Sequence, residues 1–248
     1  MGIDIVGFHS LLRALSVVSK FDNALTLGRQ GLDINFQIAN HIGKQYGIVF
    51  SNELPFTPWE EISPNKAFAE KLLKCFNFNN IDSLDYSSYE NATIIHNLNK
   101  PIPYHYKKYD LIVDGGTIEH VFNLPQVFEN IINLLDINGI FVSIACNNNY
   151  SGHGFYQYSP DVFSSTMQSK YGMQLLSLNV AKLHTEPHEW VDVSIINNNS
   201  DGRNTFHFNS HTPVYIICIA KKISNDRASL ILEPPNQFSY EEIQWTKK

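Results

Sequence analysis

The chain has 248 residues, of which 43% are hydrophobic and 17% charged. This composition allows a sizeable buried core and is not that of an intrinsically disordered protein. Its 18 basic residues against 24 acidic ones give a formal net charge of -6, which argues against a dedicated nucleic-acid binder. We therefore expect no nucleic-acid partner. The longest apolar run is far too short to span a bilayer, so we also expect no membrane association. Three widely spaced cysteines and the lack of a signal-peptide pattern indicate a cytoplasmic protein.

The N-terminal third is predicted to fold as two helices around one short strand. Residues 9–19 carry leucine and valine at helical spacing, which predicts a helical cap in front of the first strand. The apolar run Ala24–Leu27 predicts a buried strand that stops at Gly28, and isoleucines at every fourth position from Ile34 predict a second helix. Residues 47–65 contain three prolines and three aromatic residues, which is typical of a long irregular lid or binding loop.

A strand–helix–strand unit is the clearest pattern in the middle of the chain. It follows a predicted helix at 66–76 and two short strand candidates. The run Tyr109–Val113 predicts a buried strand, and Pro125 opens a helix whose apolar residues recur at helical spacing. The run Ile140–Ala145 predicts the next strand. Strands that flank a helix within about forty residues pair in parallel, so a layered α/β sheet is expected.

The last third is predicted to turn to strands. Two apolar runs, Trp190–Ile196 and Val214–Ala220, are the candidates, and a polar tail follows them. We expect one domain over residues 1–222, which includes the helical N-terminal cap, and a C-terminal extension over residues 223–248.

The central unit resembles a known family. Residues 109–123 are YDLIVDGGTIEHVFN, and residues 134–142 are LLDINGIFV. Both stretches resemble the fourth and fifth strands of class I S-adenosylmethionine (SAM)-dependent methyltransferases, in which many small-molecule enzymes carry a similar Glu-His-Val. The loop at 151–160 resembles one in a bacterial branch of these proteins. The resemblance implies a Rossmann-like three-layer sandwich with a mostly parallel seven-stranded sheet and an antiparallel C-terminal strand.

The resemblance places SAM-binding residues at the end of the first strand, where this chain departs from the family. The family has an acidic residue and three alternating glycines at this turn, which let the backbone approach the methionine part of SAM closely. This chain has Gly28, Arg29 and Gln30 there, with Gly31 nearby. Arg29 would either pair with the carboxylate of the cofactor or fill the pocket.

The resemblance assigns further SAM contacts to the ends of the next strands. Asp85 would accept hydrogen bonds from both ribose hydroxyls, and Asn97 would accept one from the adenine amino group through its carbonyl. Asp85 can also be read as a simple turn residue. The floor between cofactor and acceptor would be formed by Gly115, Gly116 and Thr117.

Two histidines are candidates for a catalytic base. His120 belongs to the Glu-His-Val triplet, and His153 lies between two glycines in the loop where the resemblance places the acceptor. A histidine of near-neutral pKa can take a proton from a hydroxyl acceptor. Each can instead be a polar residue that anchors a loop, because methyl transfer often proceeds through orientation of the reactants alone.

Two histidine pairs at a spacing of four suggest a metal site. His184 and His188 have Pro187 between them, which disfavours the helix that would bring them together. His207 and His211 lie near a strand, where this spacing separates the side chains by ~13 Å. We therefore assign no metal-binding residue from the sequence.

The sequence thus predicts a bacterial SAM-dependent methyltransferase with a small-molecule acceptor. O- and N-methylation both remain open, and a sugar or another intermediate of surface or secondary metabolism is the acceptor class that we favour. Because the glycine turn is incomplete, two alternatives stand beside this prediction. One is a catalytically inactive methyltransferase-like binding or scaffold protein, and the other is a metal-using enzyme on the same fold.

Overall fold

The computed structural model describes residues 2–50, 68–103, 105–193 and 209–236. Within these ranges the chain forms five α-helices and eight strands. The helices are α1 (Ile5–Leu15), α2 (Phe36–Gln45), α3 (Ala69–Cys75), α4 (Leu124–Leu134) and α5 (Pro160–Thr166). The strands are β1 (Asn23–Leu27), β2 (Asn80–Asp85), β3 (Ile94–Ile95), β4 (Tyr109–Asp114), β5 (Leu135–Asn148), β6 (Met173–Lys182), β7 (Val191–Asp192) and β8 (Val214–Lys222).

All eight strands belong to one sheet in the order β3-β2-β1-β4-β5-β8-β6-β7. The first five strands pair in parallel, whereas β8 is antiparallel to both β5 and β6. This arrangement confirms the Rossmann-like, mostly parallel sheet with an antiparallel C-terminal strand. The sheet has one strand more than the predicted seven. One of its edge strands is β7, which has two residues and is antiparallel to β6.

Helices cover both faces of the sheet and make it the middle of three layers. Along β5, the side chains of Ile140 and Val142 belong to one buried cluster, whereas Phe141 and Ala145 belong to the other. The first cluster includes α1, α2 and α3, and the second includes α4 and α5. The central strands are apolar on both faces for this reason, as is usual for parallel sheets.

The predicted elements of the N-terminal half are confirmed with shifted ends. Helix α1 begins at Ile5 instead of residue 9, because Asp4 caps it: the Asp4 Oδ1 accepts a hydrogen bond of 2.8 Å from the backbone N–H of Gly7. The predicted parallel pair of β4 and β5 around α4 is also present. Most of the predicted loop at 47–65 lies outside the described residues.

The predictions for the last third were less accurate. They omit α5 and the ten-residue strand β6, whose alternation of polar and apolar side chains is interrupted by a register shift between Leu175 and Ser177. The predicted strand at 190–196 is confirmed only at Val191–Asp192, and residues 194–196 lie outside the described ranges. No helix in the described ranges combines the length and hydropathy needed to cross a membrane.

Candidate functional site

A crevice is expected where the strand order reverses at the centre of the sheet. Strands β1 and β4 are neighbours, and the chain continues from β1 towards one sheet edge and from β4 towards the other. The turn after β1 starts at Gly28, which has a φ of +68° and donates a hydrogen bond of 2.7 Å to the carbonyl of Leu84. A Cβ on Gly28 would lie 2.7 Å from the Thr117 Oγ1, so only glycine fits between the turns that follow β1 and β4.

One cavity of about 290 Å³ lies at these strand ends. The sequence-assigned residues that line it are Gly28, Asp85, Asn97, Thr117 and His120. Three polar residues that the sequence reasoning did not assign also line the cavity: Tyr86, His96 and Asn99. The cavity therefore brings together residues from four separate parts of the chain.

Asp85 presents a carboxylate oxygen at this cavity. Its Oδ1 accepts a hydrogen bond of 3.0 Å from the backbone N–H of Ser87, as in an Asx turn. Among the described residues, its Oδ2 has no hydrogen-bond partner. The residue thus combines the turn role and the acceptor role that the sequence left as alternatives.

Asn97 presents a donor instead of the expected acceptor. Its side-chain carbonyl already accepts hydrogen bonds of 3.0 Å and 2.9 Å from the backbone and side-chain N–H groups of Asn99. The Asn97 NH₂ group is left for a ligand, so the predicted acceptance from an adenine amino group does not fit this geometry. The reason is again an Asx turn, which the polar sequence after β3 permits.

Arg29 lies outside the cavity and is held by other groups of the protein. Its Nε donates a hydrogen bond of 2.8 Å to the Glu70 Oε1 on α3, and its guanidinium carbon lies 4.0 Å from the centroid of the Phe68 ring. It also donates to the carbonyl of Glu90. These contacts attach the turn to α3. They occupy the Arg29 guanidinium, which the sequence had suggested as a partner for the carboxylate of the cofactor.

Gln30 fills the space between the turns that follow β1 and β4. It is buried, and its Nε2 donates to the Leu27 carbonyl and, at 3.0 Å, to the Thr117 Oγ1. A Cβ on Gly115 would lie 2.6 Å from the Gln30 Oε1. Gly115 therefore accommodates Gln30, and Gly116, at a φ of +85°, shapes the turn. Gln30, Gly115 and Gly116 do not line the cavity.

Asp114 at the end of β4 organises this turn, and the sequence reasoning missed it. The side chain is buried; its Oδ1 accepts from the backbone N–H groups of Thr117 (2.9 Å) and Ile118 (3.3 Å), and its Oδ2 accepts from the Ser143 hydroxyl at 2.7 Å. Burial raises its pKa to about 6. In the sequence, an acidic residue between an apolar strand and two glycines marks this position.

A second polar group lies next to His120. Glu119, on the 3-10 helix Ile118–His120, is fully buried, and burial, followed by the nearby Asp114 charge, raises its pKa to about 7. The Cys146 thiol donates to the Glu119 Oε1 at 3.3 Å, and the His153 Nε2 lies 3.8 Å from the same oxygen.

The two histidines assigned as candidate bases are neighbours. The ring centroids of His120 and His153 are 4.9 Å apart. Burial lowers the pKa of both, and the neighbouring His153 lowers that of His120 further. Both are therefore mainly neutral near pH 7, the state in which a histidine can accept a proton. Of the two, only His120 lines the cavity.

Exposed aromatic side chains lie beside these histidines. Phe122 is 68% exposed and Phe155 is 65% exposed, and their ring centroids are 5.5 Å apart. The hydroxyl of Tyr156 donates to the Phe122 carbonyl at 2.7 Å, which joins the two loops. This aromatic cluster offers an apolar surface to a molecule that approaches His120.

The histidine pairs do not form the helical metal motif. His184 has a φ of +60°, and His188 lies in a short 3-10 helix, while His207 is outside the described residues. Across the described ranges, one group of at least three His, Cys, Asp or Glu side chains has ligand atoms close enough to share a metal ion. It consists of Glu119, Cys146 and His153.

Comparisons with known proteins give structural matches. No family model matches the sequence, and no curated protein matches it. The N-methyltransferase NodS from Bradyrhizobium japonicum, in complex with S-adenosyl-L-homocysteine, has 8% identity and a TM-score of 0.45 over 87% of this chain and 86% of that chain. An O-methyltransferase from a trans-AT PKS multienzyme of Brevibacillus brevis has 12% identity and a TM-score of 0.43 over 86% and 72%.

The YcgJ protein from Bacillus subtilis has 10% identity and a TM-score of 0.46 over 88% of this chain and 99% of that chain. The fold assignment rests on the strand order and directions described above. The chain has a Rossmann-like α/β fold, and the solved structures to which it is similar include N- and O-methyltransferases.

Proposed function

We propose that this chain binds the nucleoside part of SAM at the ends of β1 and β2 and transfers the methyl group of SAM to a small-molecule acceptor. The observation that supports the proposal is the convergence of Gly28, Asp85 and Asn97 on one cavity at the point of strand reversal. Its volume of about 290 Å³ is at the lower end of the usual ligand-pocket range, which begins at about 300 Å³.

The residues around the cavity fit a nucleoside. The unpartnered Asp85 oxygen would accept a hydrogen bond from a ribose hydroxyl, and the Asn97 NH₂ group would donate to a ring nitrogen of adenine. Tyr86 lines the same cavity and is 75% exposed, so its ring is available to contact a base. Together these groups would hold the nucleoside by its sugar and its base.

The acceptor is proposed to bind on the His120 side of the cavity. SAM, when bound, supplies an electrophilic methyl group on a sulfonium sulfur. The neutral imidazole of His120 would take the proton from the attacking hydroxyl or amine, and His153 is the second candidate for this role. The exposed rings of Phe122 and Phe155 favour an acceptor with an apolar face, such as a sugar ring.

Because all three cysteines are free thiols, we place the reaction in the cytoplasm.

The test is titration calorimetry of the natural chain with SAM and, separately, with adenosine. We expect both to bind at one site, and Asp85→Asn to weaken both by roughly 10- to 100-fold, because hydrogen bonds to a charged group contribute about 1.5 to 3 kcal/mol. Asparagine keeps the acceptor for the Ser87 N–H, so the turn is preserved. Asp226→Asn, at an exposed position, is the matched control and should leave both affinities unchanged.

The buried Gln30 supports a second candidate function, a nucleoside-binding protein that has lost methyl transfer. Gln30 lies in the turn after β1, where the resemblance places the methionine part of SAM against the backbone, and its side chain occupies the space over Gly115. In that case adenosine would bind and SAM would bind much more weakly or not at all. Absence of binding by both compounds at millimolar concentration would contradict both functions.

A further inference from the structure

Glu119, Cys146 and His153 form a cluster beside the cavity, and the proposed methyl transfer uses none of the three when His120 is the base. All three candidate ligand atoms, a carboxylate oxygen, a thiol sulfur and an imidazole nitrogen, lie within 4.8 Å of one another. The carboxylate oxygen is 3.3 Å from the sulfur and 3.8 Å from the nitrogen. They come from the 3-10 helix after β4, from β5 and from the loop after β5, so the sheet register assembles them.

Two polar atoms in this cluster lack hydrogen-bond partners among the described residues. The Glu119 side chain has no exposed surface, and its Oε2 makes no hydrogen bond there; the Nε2 of His153 makes none either. Among the described residues, neither Lys nor Arg forms an ion pair with Glu119. A buried carboxylate without a compensating partner is costly, so this group indicates an additional ligand.

We propose that Glu119, Cys146 and His153 bind a Zn²⁺ ion. With bonds of ~2.3 Å to sulfur and ~2.0 to 2.2 Å to nitrogen and oxygen, a tetrahedral zinc site requires ligand atoms about 3.4 to 3.6 Å apart. The observed carboxylate contacts of 3.3 Å and 3.8 Å are close to these values, and the sulfur and nitrogen lie within 4.8 Å of each other.

Charge and ligand type agree with zinc. Binding converts the Cys146 thiol to a thiolate and releases its proton to the solvent, and the Glu119 carboxylate supplies a second negative charge. With neutral His153, these charges balance a divalent cation. A set of one sulfur, one nitrogen and one oxygen ligand suits zinc better than magnesium or calcium, which prefer oxygen ligands alone.

The loop that carries His153 is attached directly to Glu119. The backbone N–H of Phe155 donates to the Glu119 carbonyl at 2.8 Å, and a Cβ on Gly154 would lie 2.9 Å from the same oxygen. The loop therefore keeps His153 above the carboxylate. Three protein ligands leave a fourth position, as in zinc sites that bind water or substrate. The His120 ring, which lines the cavity, is 4.9 Å from the His153 ring.

The inference does not depend on SAM binding, so zinc binding tests it separately. The natural chain is stripped with a chelator, dialysed and titrated with zinc chloride by calorimetry in two buffers of different ionisation enthalpy. We expect one ion per chain and an apparent enthalpy that changes with the buffer, because a thiol proton is released. Replacement of zinc by cobalt should produce the sulfur-to-cobalt charge-transfer absorption that reports a thiolate ligand.

Substitution of single ligands identifies the site. We expect Cys146→Ser, His153→Gln and Glu119→Gln each to weaken zinc binding by roughly 100-fold or more, since loss of even an outer partner costs up to about 100-fold. Cys218→Ser makes the same change at a buried free cysteine on β8 and should bind zinc like the natural chain. Far-UV and near-UV circular dichroism check that each variant is folded.

Several results would overturn the inference. One is the absence of saturable zinc binding by the natural chain. Another is unchanged affinity in both Cys146→Ser and His153→Gln, which would assign the ion to other residues. A third is a cobalt spectrum without the charge-transfer band, or one that persists in Cys146→Ser. None of these results would bear on adenosine or SAM binding at Asp85.

Discussion

Asp114 joins the two halves of the candidate site without lining the cavity itself. It accepts three hydrogen bonds, from Thr117, Ile118 and Ser143, and so fixes the turn after β4 against β5. That turn carries Thr117 and His120 towards the cavity and Glu119 towards Cys146. A single buried carboxyl thus determines the direction of side chains with different proposed roles.

We predict that Asp114→Asn lowers the free energy of unfolding by about 1 to 3 kcal/mol, because neutral amide contacts replace hydrogen bonds to a charged carboxylate and the Ser143 hydroxyl loses its acceptor. Ser143→Ala removes one donor and keeps Asp114, so it should cost less. Urea unfolding followed by circular dichroism measures both. A loss for Asp114→Asn no larger than that for Ser143→Ala would show that the carboxyl is not needed for the turn.

At the scale of elements, the C-terminal end of α4 is held by two cations. The buried Lys222 on β8 donates through its Nζ to the carbonyl of Ile132 (2.9 Å), in the last turn of the helix, and to that of Leu135 (2.8 Å), the residue that follows the helix. Arg227 makes two hydrogen bonds to Glu129, of 2.7 Å and 3.3 Å. Positive charge at this helix end is also favourable to the helix dipole. These contacts attach the C-terminal segment to the second core cluster.

Lys222→Met is expected to destabilise the chain by about 2 to 4 kcal/mol, since it leaves two carbonyls without their charged donor in a buried position. Burial lowers the Lys222 pKa to about 8, so the ammonium is still mostly charged at pH 7. The control Lys221→Met changes the neighbouring, partly exposed residue and should cost much less. Equal urea midpoints for the two variants would refute the role of Lys222.

At the scale of the whole molecule, α1 connects the N-terminus to the loop after β6. His9 on α1 is fully buried; its Nδ1 is 3.1 Å from the Tyr46 hydroxyl, and its Nε2 is 3.0 Å from the Glu186 Oε2. Its ring also meets Trp190 edge-on, with centroids 6.2 Å apart. A neutral imidazole can accept a hydrogen bond from the Tyr46 hydroxyl, and Glu186 is the acidic group closest to its other nitrogen.

The stability of the chain should therefore depend on pH through His9. Burial lowers its pKa, an effect to which Arg13 and His41 add and which Glu186 opposes. The unfolded chain then takes up a proton near its ordinary pKa of about 6.5 that the folded chain does not. This contribution to stability is complete above that pH and is lost as the pH falls below it.

Thermal unfolding between about pH 7.5 and about pH 5.5 tests this, since this range spans the ordinary histidine pKa. We expect the melting temperature of the natural chain to fall more steeply with decreasing pH than that of His9→Gln, whose side chain does not titrate. His211→Gln, at an exposed histidine, should behave like the natural chain. Parallel curves for the natural chain and His9→Gln would be evidence against a titrating His9.

The local pattern of residues was sufficient to predict much of the fold. The strands β1, β4, β5 and β8 each contain an apolar run, and Gly28 ends β1 as expected. Strand β6 escaped prediction because a register shift breaks its alternation, and the start of α1 was missed because a cap from Asp4 set it. In both cases the structure depends on a specific backbone or capping contact, which cannot be read from the spacing of apolar side chains.

The amino-acid order by itself determined that this is a layered α/β protein with Gly28, Asp85 and Asn97 at strand ends, because strand and turn preferences act over a few residues. Only the tertiary structure decided that Gln30 fills the space over Gly115. The same is true of Cys146, which meets a carboxylate 27 residues away in sequence. Such meetings depend on the register of β4 against β5 and on the path of the following loop, and hydrophobic patterning constrains neither closely enough.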